Sequence, residues 1–172
     1  LTNYLPKMKR IIVFFFFVFM LSLTGRSYSQ GYEFDLNDLE GNSVKLSELT
    51  KQGPVFVQFW ATWCIPCKEE MKVLNELWGK YKDSGFVFVA ISIDDQKSLS
   101  KVKPYIESKS YKYPVLFDTD KNVFSNFGGQ DPPFSVFVDR NGSIYKTYSG
   151  YMQGDDAKLE NEIKEALKIG KN

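Results

Sequence analysis

Val55-Phe56-Val57-Gln58-Phe59-Trp60-Ala61-Thr62-Trp63-Cys64-Ile65-Pro66-Cys67-Lys68-Glu69-Glu70 passes from one periodicity to another. Pro54 to Trp60 is a near-continuous apolar run, whose length and β-rich composition predict a buried central strand. From about Pro66 to Lys82, Met71, Leu74, Leu77, Trp78 and Tyr81 recur at helical spacing, and Asp83-Ser84-Gly85 ends the helix. Cys64 and Cys67, the two cysteines of the chain, therefore fall where a buried strand gives way to a helix.

The flanking segments repeat the alternation. Upstream, Phe34 to Leu36 and Val44 to Leu46 read as a hairpin around Gly41, and Ser47 is placed to cap a short helical turn. Downstream, Phe86 to Ile93 is a second buried strand and Ser98 to Ser110 a helix, with Pro104 at a kink or in its first turn. Val115 to Phe117 reads as a strand, and Val123 to Phe127 as a short helix stopped by Gly128-Gly129. Phe134 to Val138 and Ile144 to Tyr148 form a hairpin through Arg140-Asn141-Gly142. A last helix opens at Gly154-Asp155-Asp156 and runs to about Leu167. This order predicts an α/β domain with a sheet covered on both faces.

A thiol at a helix N-terminus feels unpaired N–H groups and the positive end of the helix dipole, which favour thiolate over thiol. Cys64 is therefore the expected attacking sulfur. Cys67, nearly a turn later and facing inward, is expected to be less exposed and more protonated. It would resolve the mixed disulfide that Cys64 forms with a substrate. Pro66 gives a rigid first turn and lacks an N–H that would go unpaired. The competing reading is a structural disulfide. Closing a loop of about four residues stabilises by only about 2 kcal/mol, against about 3 kcal/mol for a fifteen-residue loop. A staple would bridge distant segments.

Composition narrows the chemistry. The chain has 172 residues, 43% hydrophobic and 25% charged, enough for one packed domain and a targeting segment. It contains no histidine, which excludes Ser-His-Asp and Cys-His catalysis and histidine-ligated zinc or haem. Two thiolates alone cannot complete a four-coordinate zinc site, so no metal and no cofactor are expected. Residues 1–29 read as a signal peptide, with an uncleaved N-terminal anchor as the alternative. Lys7, Lys9 and Arg10 precede an apolar run from Ile11 to Leu23, and Ser27-Tyr28-Ser29 supplies the cleavage site before Gln30. The apolar run is shorter than the roughly 20 residues of a spanning helix. Met8 is a candidate start, which would make the first seven residues an upstream extension. Cleavage would remove four of the 22 basic residues and none of the 21 acidic ones, taking the net charge from +1 to −3. No nucleic-acid partner is expected. Export would place the cysteines where disulfides form and persist.

At Val57 to Glu70, and again at Pro133-Phe134-Ser135-Val136-Phe137-Val138-Asp139-Arg140-Asn141-Gly142, the sequence resembles the thioredoxin superfamily, and within it the exported TlpA/ResA-like thiol–disulfide oxidoreductases. The resemblance runs in order from about Tyr32 to Lys168. It implies a thioredoxin-like fold for residues 30–172, a central mixed sheet with helices on both faces, an N-terminal β-hairpin and an inserted helical segment before Val115. It implies a redox-active Cys64–Cys67 disulfide and a cis-proline at Pro133 facing it. A substrate groove would take in Trp63, Pro66, Pro132 and Pro133. Glu70 matches an acidic residue that in ResA-like proteins can assist proton transfer at the buried thiol; the other reading is a solvated helix glutamate. Two departures stand out. Gln58 occupies a position where many thioredoxins carry a buried aspartate, and it cannot accept a proton there. Pro132 precedes the presumed cis-proline and has no N–H with which to hold a substrate chain.

The expected function is a monomeric, exported thiol–disulfide oxidoreductase acting on protein disulfides or thiols, with electrons from a membrane donor. The resemblance suggests a place in cytochrome c maturation. Two alternatives stand beside it. A thiol peroxidase shares the fold, but the Ala61-Thr62-Trp63-Cys64 context lacks the proline of a P-x-x-x-[TS]-x-x-C site. A redox-inert secreted binding module would use the scaffold without the chemistry.

Overall fold

The structure, a computed structural model, describes residues 32–169. The expected signal peptide or anchor, residues 1–29, lies outside the described residues. The elements run β1 (Asp35–Asn37), β2 (Ser43–Lys45), α1 (Leu46–Gln52), β3 (Val55–Trp60), α2 (Ile65–Tyr81), β4 (Val87–Ser92), α3 (Val102–Lys109), β5 (Val115–Phe117), α4 (Asn122–Asn126), β6 (Phe134–Val138), β7 (Ile144–Ser149) and α5 (Asp156–Ile169).

The five-stranded sheet has the order β5-β4-β3-β6-β7. β3 is central, parallel to β4 and antiparallel to β6, and all six of its residues are buried. That burial explains why its sequence is continuously apolar rather than alternating. β7, at the edge, alternates half-buried and exposed residues.

Successive side chains of a strand point to opposite faces, so β3 sorts the helices. Phe59 meets Phe124 of α4, Phe127 and Phe134, with ring centroids 5.4, 5.6 and 6.1 Å away. Gln58 and Trp60 point the other way, Gln58 to Glu70 of α2 and Trp60 to Tyr105 of α3. Lys146 of β7 pairs with Glu162, which puts α5 on the Gln58 face too. Truncating Phe59 to alanine would empty the junction of three rings. We expect a loss of about 3–5 kcal/mol in urea unfolding, with the slope unchanged.

The hairpin is shifted one residue from the expected strands. Phe34 and Leu46 leave the ladder for the core, joined by a Leu46 N–H to Phe34 carbonyl bond of 3.2 Å. Ser47 does not cap α1: Lys45 occupies the cap position without a side-chain bond. Glu33 does the capping instead, its carboxylate accepting the Ser47 N–H at 3.2 Å. The segment before β5 holds a single 3-10 turn, Leu99–Lys101, and then α3, with Pro104 in the first turn of α3. Gly53 is required sterically: a Cβ there would lie 1.8 Å from the Gly85 carbonyl oxygen.

Candidate active site

The loop leaving β3 is held from below. Asp94, fully buried after β4, accepts the Thr62 N–H at 2.8 Å and the Thr62 hydroxyl at 2.6 Å, and it also accepts the Ser92 hydroxyl at 2.9 Å. The Cys64 N–H turns back to the Ala61 carbonyl at 3.0 Å. Cys64 thereby becomes the N-cap of α2, in extended backbone conformation, and its Sγ faces the Cys67 N–H at 3.2 Å. The two sulfurs form a disulfide with Cα atoms 5.3 Å apart. Cys67 is fully buried and Cys64 nearly so. No acidic residue stands in the first turn of α2 to offset the helix dipole. A sulfur at this cap is favoured as thiolate once the disulfide opens.

Around the disulfide the surface is apolar. Trp63 is 61% exposed and Ile65 71%, both beside Cys64. Pro66 lies in the first turn of α2. The Pro132–Pro133 peptide bond is cis. Phe134 pairs with Phe59 across β6 and β3, so Pro133 stands at the end of the sheet from which the cysteine loop departs. Neither proline has an N–H, and the Pro133 carbonyl already accepts the Gly150 N–H at 2.8 Å. A groove of about 680 Å³ runs beside them, lined by Phe127, Gln130, Asp131, Pro132 and Phe134 among others.

Glu70 is not a solvated helix residue; it is 3% exposed. It lies on the buried stripe of α2 with Cys67, Met71 and Leu74. Gln58 Nε2 donates to its Oε2 at 2.5 Å and Ser135 Oγ to its Oε1 at 3.3 Å. The same Gln58 nitrogen lies 3.4 Å from the Cys67 carbonyl oxygen, so one amide touches both residues. Burial pushes the Glu70 carboxyl from 4.5 up to about 7, the two hydrogen bonds opposing the shift and the Asp155 charge adding to it. A carboxyl titrating there can take up or release a proton at neutral pH.

That shift carries a stability consequence. A raised carboxyl pKa means that the folded state binds more protons than the unfolded one, so stability is lost as pH rises from 4.5 to about 7. The shift corresponds to about 3 kcal/mol. Glu70→Gln, which cannot ionise, should gain about that much relative to the parent between acid and alkaline pH. Urea unfolding at the two pH limits measures it; a pH-independent difference would contradict the buried, raised carboxyl.

Residues 29–149 match the AhpC/TSA family. The chain is 32% identical over 127 residues to the thiol-disulfide oxidoreductase ResA of Halalkalibacterium halodurans, covering 74% of this chain and 70% of that one. It is 34% identical over 117 residues to ResA of Bacillus thuringiensis, covering 68% of this chain and 66% of that one. Among solved structures it is similar to a candidate thiol:disulfide interchange protein DsbE of Chlorobium tepidum, with a TM-score of 0.72 and 31% identity over 78% of this chain and 93% of that one. The chain belongs to the AhpC/TSA family. Within that thioredoxin-like family it is a thiol–disulfide oxidoreductase of the ResA/DsbE type, and Cys64–Cys67 is its cysteine pair.

Three polar residues of this AhpC/TSA chain are more closely tied to the site than their sequence context suggests. Gln58 is the donor that holds Glu70. Ser135 interrupts the buried run of β6 and supplies the second donor. Asp94 holds the loop before Cys64. The available signal was a lone polar residue inside, or just after, a buried apolar strand, where an unpaired polar group would be costly.

Proposed function

We propose that the chain is an exported reductase of protein disulfides, cycling Cys64 and Cys67 between dithiol and disulfide. The observation that carries this reading is a disulfide seated at a helix N-terminus, with a buried carboxyl one turn behind it. The Cys64 thiolate attacks one sulfur of a substrate disulfide, forming a mixed disulfide and releasing the first substrate thiolate. Glu70, as carboxylate, takes the proton of the Cys67 thiol. The Cys67 thiolate then attacks Cys64 Sγ, forms the intramolecular disulfide and expels the second substrate thiolate. Two electrons pass to the substrate and each departing thiolate takes up a proton from solvent.

Trp63 and Ile65 offer an apolar landing surface for an unfolded or extended substrate segment. The groove beside Pro132 and Pro133 would receive that segment with fewer backbone bonds than a non-proline pair could make. The basic residues Lys7, Lys9 and Arg10 before the apolar run at residues 11–23 support work outside the cytoplasm, and we infer a monomer recharged there by a membrane electron donor. Cytochrome c apoproteins, whose paired cysteines must be reduced before haem attachment, are the proposed substrates. The test is turnover of the prereduced protein with insulin. Stoichiometric reduction of the interchain disulfides supports the reading, and absence of reduction with Cys64 fully titratable as a free thiol contradicts it.

A further inference from the structure

Glu70 is buried, yet it forms part of the wall of a cleft of about 330 Å³ that opens on the far side of β7 from the groove at the cis peptide. The strand register shows the separation. Tyr148 lies opposite Ser135 and shares the face of Glu70, whereas Ser149 lies opposite Phe134 and shares the face of the groove. The cleft is lined by Glu70, Tyr148, Tyr151, Asp155 and Lys158 among others, and by none of Trp63, Cys64, Ile65, Pro132 or Pro133; the end of β7 and Gly150 form a wall common to cleft and groove. The buried carboxyl thus opens on the face of β7 opposite the groove, with that strand as the wall between the two.

We propose that protons reach and leave Glu70 through this cleft between β7 and α5, and not through the substrate face. The inference rests on the reading of Glu70 as the proton acceptor for Cys67. It meets a need of that reading: while a protein is joined to Cys64, the front of the site is covered, and the proton that Glu70 takes from the Cys67 thiol must still leave.

The groups facing Glu70 suit the task. From α2 comes Cys67, the proton donor. From β3 and β6 come the amide of Gln58 and the hydroxyl of Ser135, which hold the carboxylate and do not themselves titrate in this range. From the β7–α5 connection comes Asp155, whose charge opposes that of Glu70 and favours its protonated form. Its Oδ2 accepts the Met152 N–H at 3.0 Å, which fixes the carboxylate at the cleft wall. From β7 comes Tyr148, whose hydroxyl is held in its neutral form by burial; Tyr151 and Lys158 complete the titratable groups of the lining, and the Tyr151 hydroxyl is tied to Asp156. Asp155 and Lys158 put an acceptor and a donor on the wall of the cleft onto which the buried carboxyl opens.

The test uses the full chain as Cys67→Ser, alone and joined at Cys64 to the insulin B chain as a stable mixed disulfide. Hydrogen–deuterium exchange of the Glu70 carboxylic acid is followed by its infrared carbonyl band, assigned by its loss in Glu70→Gln. The B chain should leave the exchange rate within about twofold, whereas Lys158→Trp, which narrows the cleft, should slow it by about tenfold or more in both forms. Should Lys158→Trp not fold, Met152→Trp at the same mouth replaces it. Asp155→Asn, which keeps the Met152 bond, should lower the pH at which the band titrates. Slowing by the B chain, or no slowing by the narrowed cleft, overturns the proposal. Neither result bears on whether Glu70 serves Cys67, which is read separately from loss of the pH dependence of the resolving step in Glu70→Gln.

Discussion

Replacing Cys64 with serine is expected to lower insulin reduction by on the order of 10⁴-fold or more. The hydroxyl would occupy the same N-cap and accept the same Cys67 N–H, so the helix should keep its start. What disappears is the nucleophile, because a serine hydroxyl beside no general base does not attack disulfide sulfur, and the chain contains no histidine to supply one. Cys67 cannot substitute, since its side chain is fully buried behind the cap. Circular dichroism should be unchanged while initial rates fall to background. Appreciable residual reduction would mean that Cys67 reaches substrates directly, which the burial argues against.

Replacing Cys67 with serine should produce the opposite phenotype, capture without release. Well-oriented intramolecular groups react with effective molarities of about 10⁵ M or more, so external thiols at millimolar concentration are poor stand-ins for the resolving sulfur. The variant should accumulate a stoichiometric mixed disulfide through Cys64, seen by mass spectrometry and on non-reducing gels, with catalytic turnover almost abolished. Serine is small enough for the buried site and leaves the Gln58 contact to the backbone carbonyl in place. The same variant tests the peroxidase alternative: rapid peroxide consumption by Cys67→Ser would favour that chemistry over disulfide exchange.

Where periodicity is strong, the fold can be read from the residues. β3, α2, β5 and β6 lie within a residue or so of their expected limits, because continuous burial and a 3.6-residue stripe leave few alternatives. The one-residue shift of the hairpin and the capping of α1 by Glu33 depend on tertiary contacts that no local pattern encodes. The site divides in the same way. The cysteine pair is legible because its position between strand and helix is itself a chemical statement. The environment of Glu70 is only half legible. Its spacing from Cys67 and Met71 puts it on the buried stripe of α2, but the donors that make burial tolerable come from β3 and from β6, the latter 65 residues away. Gln58 illustrates the limit: read as a missing proton acceptor, it is in the folded chain the donor that holds one in place.

The reduction potential of the Cys64–Cys67 couple at neutral pH, set by equilibration with glutathione, decides whether the chain works as a reductase. Strongly oxidising pairs owe their character to a reduced form stabilised as thiolate. Here Ile65 and Pro66 add no charge between the cysteines, and a carboxylate at Glu70 opposes a second anion at Cys67. The couple should be reducing, nearer the about −270 mV of thioredoxin than the about −120 mV of a dedicated oxidant. A value close to the oxidising end would contradict it.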